Sequence, residues 1–125
     1  MAADNNKGKF VKSSQGAAVL NGIHTDVVCY DFDDRAFIVA TQLQKFGTLV
    51  QVTKDIVLED RQSSTFSTKV LLGVDEPLTH VIAQNLVSGI STVKPIVLAV
   101  SLKEKTPKMV KTVAELIKLN SLWSQ

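Results

Sequence analysis

The run Thr68–Ile90, TKVLLGVDEPLTHVIAQNLVSGI, holds a strand, a turn and a helix in immediate succession. Val70, Leu71 and Leu72 are consecutive apolar residues stopped by Gly73, which reads as a strand ending in a glycine turn. Asp75 or Glu76 can cap a helix, and Pro77 suits its first turn. Leu78, Val81, Ile82, Asn85, Leu86, Gly89 and Ile90 then recur at steps of three and four. One face of a helix over about 76–90 is therefore apolar and must be covered. Gly89 lowers helix propensity on that face but lets a neighbour approach closely. The expectation is a buried strand feeding a capped amphipathic helix, at the centre of a small α+β domain.

Upstream, the pattern is strand and turn. Gly16–Leu20 is followed by Asn21-Gly22, the dipeptide of a type I′ hairpin. Ile23–Phe32 is the returning strand. Asp26, Val28, Tyr30 and Phe32 fall on one side of it, and Thr25, Val27, Cys29 and Asp31 on the other. Arg35–Leu43 is almost wholly apolar between Ala36 and Ala40, as a central strand would be. Gln44 to Gly47 is expected to close a hairpin onto Thr48–Val52. Lys54–Ser64 reads as an irregular excursion, after which Thr65–Leu72 rejoins the sheet.

Downstream, Pro95–Leu102 is a strong strand with Pro at its first position. Thr106 and Pro107 open a last helix whose stripe is Val110, Val113, Ala114 and Ile117. Trp123 either anchors an interface or folds back on the domain. The fold class is α+β: a mainly antiparallel sheet of about six strands packed with two or more helices. A single domain spans 16–125 behind a flexible tail, 1–15. Strands that are apolar at consecutive positions call for cover on both faces, and a second subunit could supply the missing layer.

With 125 residues the chain is long enough for one self-sufficient core. A net charge of +2, without basic residues interleaved with aromatics, argues against a nucleic-acid partner. No stretch approaches the ~20 apolar residues of a membrane span. One cysteine, Cys29, precludes an intrachain disulfide and fits a reducing compartment.

Catalytic candidates are few. His24, His80 and Cys29 match no metal-ligand spacing. Cys29 lies among valines, as core cysteines do. Asp33, Asp34, Asp75 and Glu76 stand where turns and helix starts already account for them. Neither a dinucleotide fingerprint nor a phosphate loop is present. No catalytic, cofactor or metal site is expected. A small enzyme would require His80 or Cys29 to converge with other groups in a concave pocket. Lys103, Lys105, Lys108, Lys111 and Lys118 give the last helix a basic face. It reads either as an ordinary solvated face or as a docking surface for an acidic protein.

Several segments closely resemble the proteasome assembly chaperone 3 family: HTDVVCYDF (24–32), QLQKFGTLV (42–50), STKVLLGVDEPLTHVIAQNLV (67–87) and IVLAVSLKEK (96–105). The resemblance implies a non-enzymatic chaperone with a six-stranded antiparallel sheet and helices; the expected location is the cytoplasm, with the nucleus as the alternative or additional compartment. It implies pairing with a proteasome assembly chaperone 4-like protein, a homodimer when isolated, and action on α subunits during assembly of the 20S α-ring. Under that reading Leu78, Ile82, Leu86 and Gly89, or the adjacent sheet face, are the candidate dimer interface. Lys108, Lys111 and Lys118, or the hairpin ends, are the candidate contact with a proteasome subunit. A dimeric scaffold or adaptor of another intracellular complex is the alternative of similar build.

Overall fold

A computed structural model describes residues 11–56 and 64–123. In chain order the elements are β1 (Lys12–Leu20), β2 (Ile23–Asp31), β3 (Ala36–Thr41), β4 (Thr48–Ile56), β5 (Ser64–Leu72), α1 (Pro77–Val87), β6 (Ile96–Ser101) and α2 (Pro107–Leu119). One six-stranded sheet runs in the order β1-β2-β3-β6-β4-β5. Every pair is antiparallel except β3–β6.

The first hairpin forms as its turn dipeptide dictates, with Asn21 and Gly22 both at positive φ (52° and 79°). β1 begins at Lys12, inside the stretch expected as tail, and Lys12 to Gln15 pair with Asp31 to Val28. Its polar residues are tolerated because β1 is an edge strand, where one side of the ladder meets water. Residues 1–10 lie outside the described part of the chain, as does most of the expected excursion. β4 runs to Ile56, past the expected end at Val52.

Two expectations about the sheet are corrected. Gln44 to Gly47 does not close a hairpin, because β6 is inserted between β3 and β4. The apolar run Ile96–Ser101, buried at every position, takes the centre of the sheet. The 42–47 segment instead carries the chain over the end of β6. Gly47 adopts φ 70°, and a Cβ there would stand 2.4 Å from the Val100 carbonyl oxygen. Thr41 Oγ1 accepts from the Leu43 and Lys45 amides (3.1 and 3.2 Å) and bonds Ser101 Oγ at 2.7 Å. Ser101 Oγ in turn donates to the Lys45 carbonyl (2.9 Å).

The second correction concerns β5. It is the other edge strand, not a buried one, and Leu71 and Leu72 are 46% and 62% exposed. Consecutive leucines on an edge strand beside a bulge (the register shifts between Leu49 and Val50) cannot both reach the core.

Both helices lie on one face of the sheet. Val27, Cys29, Ile38, Ala40, Leu98, Val50 and Val52 point toward them and join Ile82, Leu86, Val113 and Ile117 in one core. Thr106 caps α2 as expected, its hydroxyl accepting from the Met109 amide at 3.2 Å. The cap expected from Asp75 or Glu76 is not made: Glu76 occupies the cap position of α1 without a side-chain bond. Asp75 reaches His80 instead (2.6 Å).

Past α2 the chain folds back, and Trp123 is buried in the core. Its indole N–H donates to Asp31 Oδ1 (3.1 Å), which also receives Lys94 Nζ (2.7 Å). The Lys94 hydrogen bond, reinforced by Trp123 and by the lysine charge, holds the Asp31 carboxyl below its ordinary range. A depressed carboxylate contributes stability that is complete above its unfolded pKa and is lost as pH falls from there through its lower folded pKa. The wild-type chain should therefore lose stability below about pH 4, with Asp31 responsible for part of that limb. Asp31→Ala should cost about 2–3 kcal/mol at neutral pH, since two donors lose an ionised acceptor. Chemical denaturation at neutral and acid pH measures both effects. A cost independent of pH would show that packing, not charge, holds Trp123.

Candidate protein-binding surfaces

Of the residues weighed for chemistry, the structure joins His80 to Asp75 and assembles no larger group among the described residues. The Cys29 thiol is buried under the helices, and burial pushes its pKa up to about 11, the opposite of an activated nucleophile. His24 pairs with Asp26 at the exposed surface (3.0 Å). With its proton on Nε2, the His80 ring donates to Asp75 (2.6 Å) and accepts from Thr68 Oγ1 (2.5 Å). This line of three has the order of a nucleophile triad, but it lies on the surface between β5 and the first turn of α1. Its evident effect is to pin the helix start to the edge strand. No cluster able to hold a metal occurs among the described residues, and none of their helices is long and apolar enough to cross a membrane.

Two surfaces do stand out. The first is the sheet face that carries no helix. Strand alternation places Val28, Tyr30, Phe37, Val39, Val97, Ala99 and Leu49 there, since their neighbours in sequence point to the core. Tyr30 lies 6.1 Å from both Phe32 and Phe37, ring centre to ring centre, and Phe37 lies 6.5 Å from Phe46. Val28, Tyr30, Phe37 and Leu49 are partly exposed there, over Val39, Val97 and Ala99, which are already buried. Such a patch on one isolated domain is the signature of a covered interface.

The second surface is a groove of about 540 Å³ between α1 and α2. Leu78 and Val81, 46% and 53% exposed, form one wall. Val110 and Ala114 form the other, and Ile82 lies at the floor. Lys105, Lys111 and Lys118 stand along the rim. A methyl group at Gly89 would lie 3.3 Å from Lys118 Cδ, so the missing side chain lets the lysine stem cross at that point.

The sequence-predicted residues are accordingly redistributed. Ile82 and Leu86 are spent on the protein's own core, only 6% and 1% exposed, and Leu86 is absent from the groove. Their periodicity marked burial correctly, and the partner burying them is α2 and the sheet of the same chain. Leu78, Gly89, Lys111 and Lys118, assigned to two different interfaces, turn out to share one groove. Lys108 is exposed and lies outside it. The open sheet face was readable only as a demand for a second layer. Phe37 and Phe46 carried no individual signal, because alternation shows that a strand has two sides without showing which side the helices choose.

A six-stranded sheet with one face covered by helices and the other apolar and open has the build of a small protein-binding module. Sequence comparison makes that class specific. The sequence model of the family described as proteasome assembly chaperone 3 matches residues 38–120. The proteasome assembly chaperone 3 of Bos taurus is 41% identical over 114 residues, covering 89% of this chain and 93% of the relative. That of Homo sapiens is 40% identical over 116 residues, covering 90% and 95%. The protein of the same name from Nematostella vectensis is 38% identical over 109 residues, covering 79% and 81%. The chain belongs to the proteasome assembly chaperone 3 family, a family of chaperones for proteasome assembly. Its fold recurs in a chain from the crystal structure of a chaperone complex for yeast 20S proteasome assembly. That chain has a TM-score of 0.72 at 13% identity, covering 86% of this chain and 96% of that one.

Proposed function

We propose that the chain is a non-enzymatic chaperone of 20S proteasome assembly that works as one half of a chaperone pair in the cytoplasm. The observation carrying this reading is the open apolar face of the sheet. Tyr30, Phe37, Val28 and Leu49, left partly exposed on that face in one copy, call for a sister subunit of complementary apolar surface. A proteasome assembly chaperone 4-like protein fills that role, and a second copy of this chain does so when the sister is absent. A stable pair requires roughly 800 Å² buried on each partner, and a face crossing the central strands is of the right scale.

The opposite, helical side then remains free for a 20S α subunit. Lys111 and Lys118 on that side supply charge that speeds encounter with an acidic surface. Binding and release suffice for this work, because the chaperone need only hold subunits until later arrivals displace it.

The test is recovery of native complexes with the tagged chain, every partner being identified by mass. A small sister chaperone together with free α subunits, but not mature 20S particles, is the expected catch. Recovery of neither by a folded, soluble chain overturns the reading. Exchanging Lys108 and Lys111 for glutamate should leave the sister chaperone bound and weaken capture of α subunits.

A further inference from the structure

We infer that the groove between α1 and α2 is a docking site for an acidic amphipathic helix. The inference rests on the reading above only for the natural source of that helix, an α subunit; its chemistry follows from the groove itself.

The floor and walls are apolar, from Leu78, Val81, Ile82, Val110 and Ala114. The volume, about 540 Å³, falls within the range of formed binding sites, about 300–1,000 Å³, and accepts a few large side chains. α1 contains no Asp, Glu, Lys or Arg, so one wall is electrically blank. The other edge carries Lys105, Lys111 and Lys118 against the single acid Glu115. None of these three lysines has an ion-pair partner among the described residues. An apolar slot with an uncompensated basic rim favours a ligand with an apolar stripe edged by carboxylates. A basic segment would be repelled, and the chain's own residues 1–10, with Lys7 and Lys9 against Asp4, have the wrong sign.

The helical form of the ligand follows from hydrogen bonding. An extended peptide laid on this floor would leave amides and carbonyls against apolar side chains, with little beyond Asn85 and Ser88 to receive them. A helix satisfies its own backbone and needs only side-chain contact. The groove between two packed helices is also the place where a third is accepted by ridges into grooves. Lys111 and Lys118 are seven residues apart, about 10.5 Å along α2. A ligand helix aligned with α2 meets both lysines if it repeats its acids at the same interval.

The probe is a fluorescein-labelled helical peptide of about 14 residues, with Leu at every third and fourth position and Glu between. Its counterpart has Lys in place of every Glu. Fluorescence anisotropy with the full chain, alone and paired with its sister chaperone, should show the acidic peptide bound at least about tenfold more tightly. The double variant Lys111→Glu/Lys118→Glu should reverse the preference. Val81→Asp should abolish binding of both peptides, and circular dichroism should show all variants folded, since these side chains are exposed. Equal binding of the two peptides, no binding of the acidic one, or binding indifferent to Val81→Asp each overturns the inference. Self-association of the chain that is lost with Val81→Asp would overturn it in favour of a second copy as occupant.

Failure of the wider reading is separable. If the acidic peptide binds as expected but free α subunits neither bind nor compete, the groove stands and its assignment to the proteasome falls. If α subunits are captured equally by wild type and Val81→Asp, the assignment stands and the groove falls.

Discussion

Phe37→Asp should abolish pairing with the sister chaperone while leaving a folded chain. Phe37 lies near the middle of the open sheet face, partly buried, with Tyr30 on one side and Phe46 on the other. In the pair it is expected to be covered. A carboxylate in that position would be buried without a counter-charge, and the aromatic contact area would be lost as well. At least a hundredfold weakening is expected, equivalent to about 2.7 kcal/mol or more. In the single chain the same substitution meets solvent, and the cost is limited to two tilted ring contacts, about 1–2 kcal/mol. Phe37→Leu should retain most of the affinity. Sedimentation of the co-expressed pair measures the association, and thermal melting of the single chain measures the fold. A folded Phe37→Asp chain that still pairs normally would put the interface elsewhere. Acidic-peptide binding in the helix groove should be unchanged, because the two surfaces lie on opposite sides of the sheet.

The largest loss of stability is expected from Leu98→Ala. Leu98 is fully buried at the centre of β6, between Ile38 on β3 and Val50 on β4, and faces the helices. Truncation removes its transfer free energy and leaves a cavity walled by two sheet neighbours and both helices. About 3–4 kcal/mol is expected, a large share of the stability of a small domain. Leu71→Ala, the same chemical change on the edge strand, should cost about 0.5 kcal/mol or less in the single chain. Urea denaturation of the two variants measures the contrast. Equal costs would mean that Leu71 on the edge strand is as much a part of the core as Leu98.

That contrast marks where local pattern stops being informative. Val70, Leu71 and Leu72 read as a buried strand because three apolar residues in a row usually mean cover on both sides. Ile96 to Val100 read the same way for the same reason. Only one of the two segments is central. What separates them is the long-range pairing that threads β6 between β3 and β4, and no window of sequence records it. The hairpin expected at Gln44 to Gly47 failed for that reason as well: a glycine turn between two strands does not show whether a third strand comes between them.

The binding surfaces divide along the same line. From the α1 repeat, burial of Ile82 and Leu86 was legible, but not whether a partner or the chain's own α2 would cover them. The lysines were legible as a basic face. Their junction with Leu78 and Gly89 in one groove required the two helices to be set side by side. Resemblance in four quoted segments was enough to indicate the family, because long ordered matches survive even where contacts cannot be inferred.

By itself the sequence determined what is local or cumulative: the Asn21-Gly22 hairpin, the Thr106-Pro107 helix start, two amphipathic helices, a strand-rich single domain and membership of a chaperone family. These follow from backbone preferences and hydrophobic periods that act over a few residues. Tertiary structure alone decided the strand order, the choice of sheet face taken by both helices, and hence which apolar residues are core and which remain at the surface. Those outcomes depend on contacts between residues far apart in the chain. Periodicity specifies that a face must be buried, and only packing specifies against what.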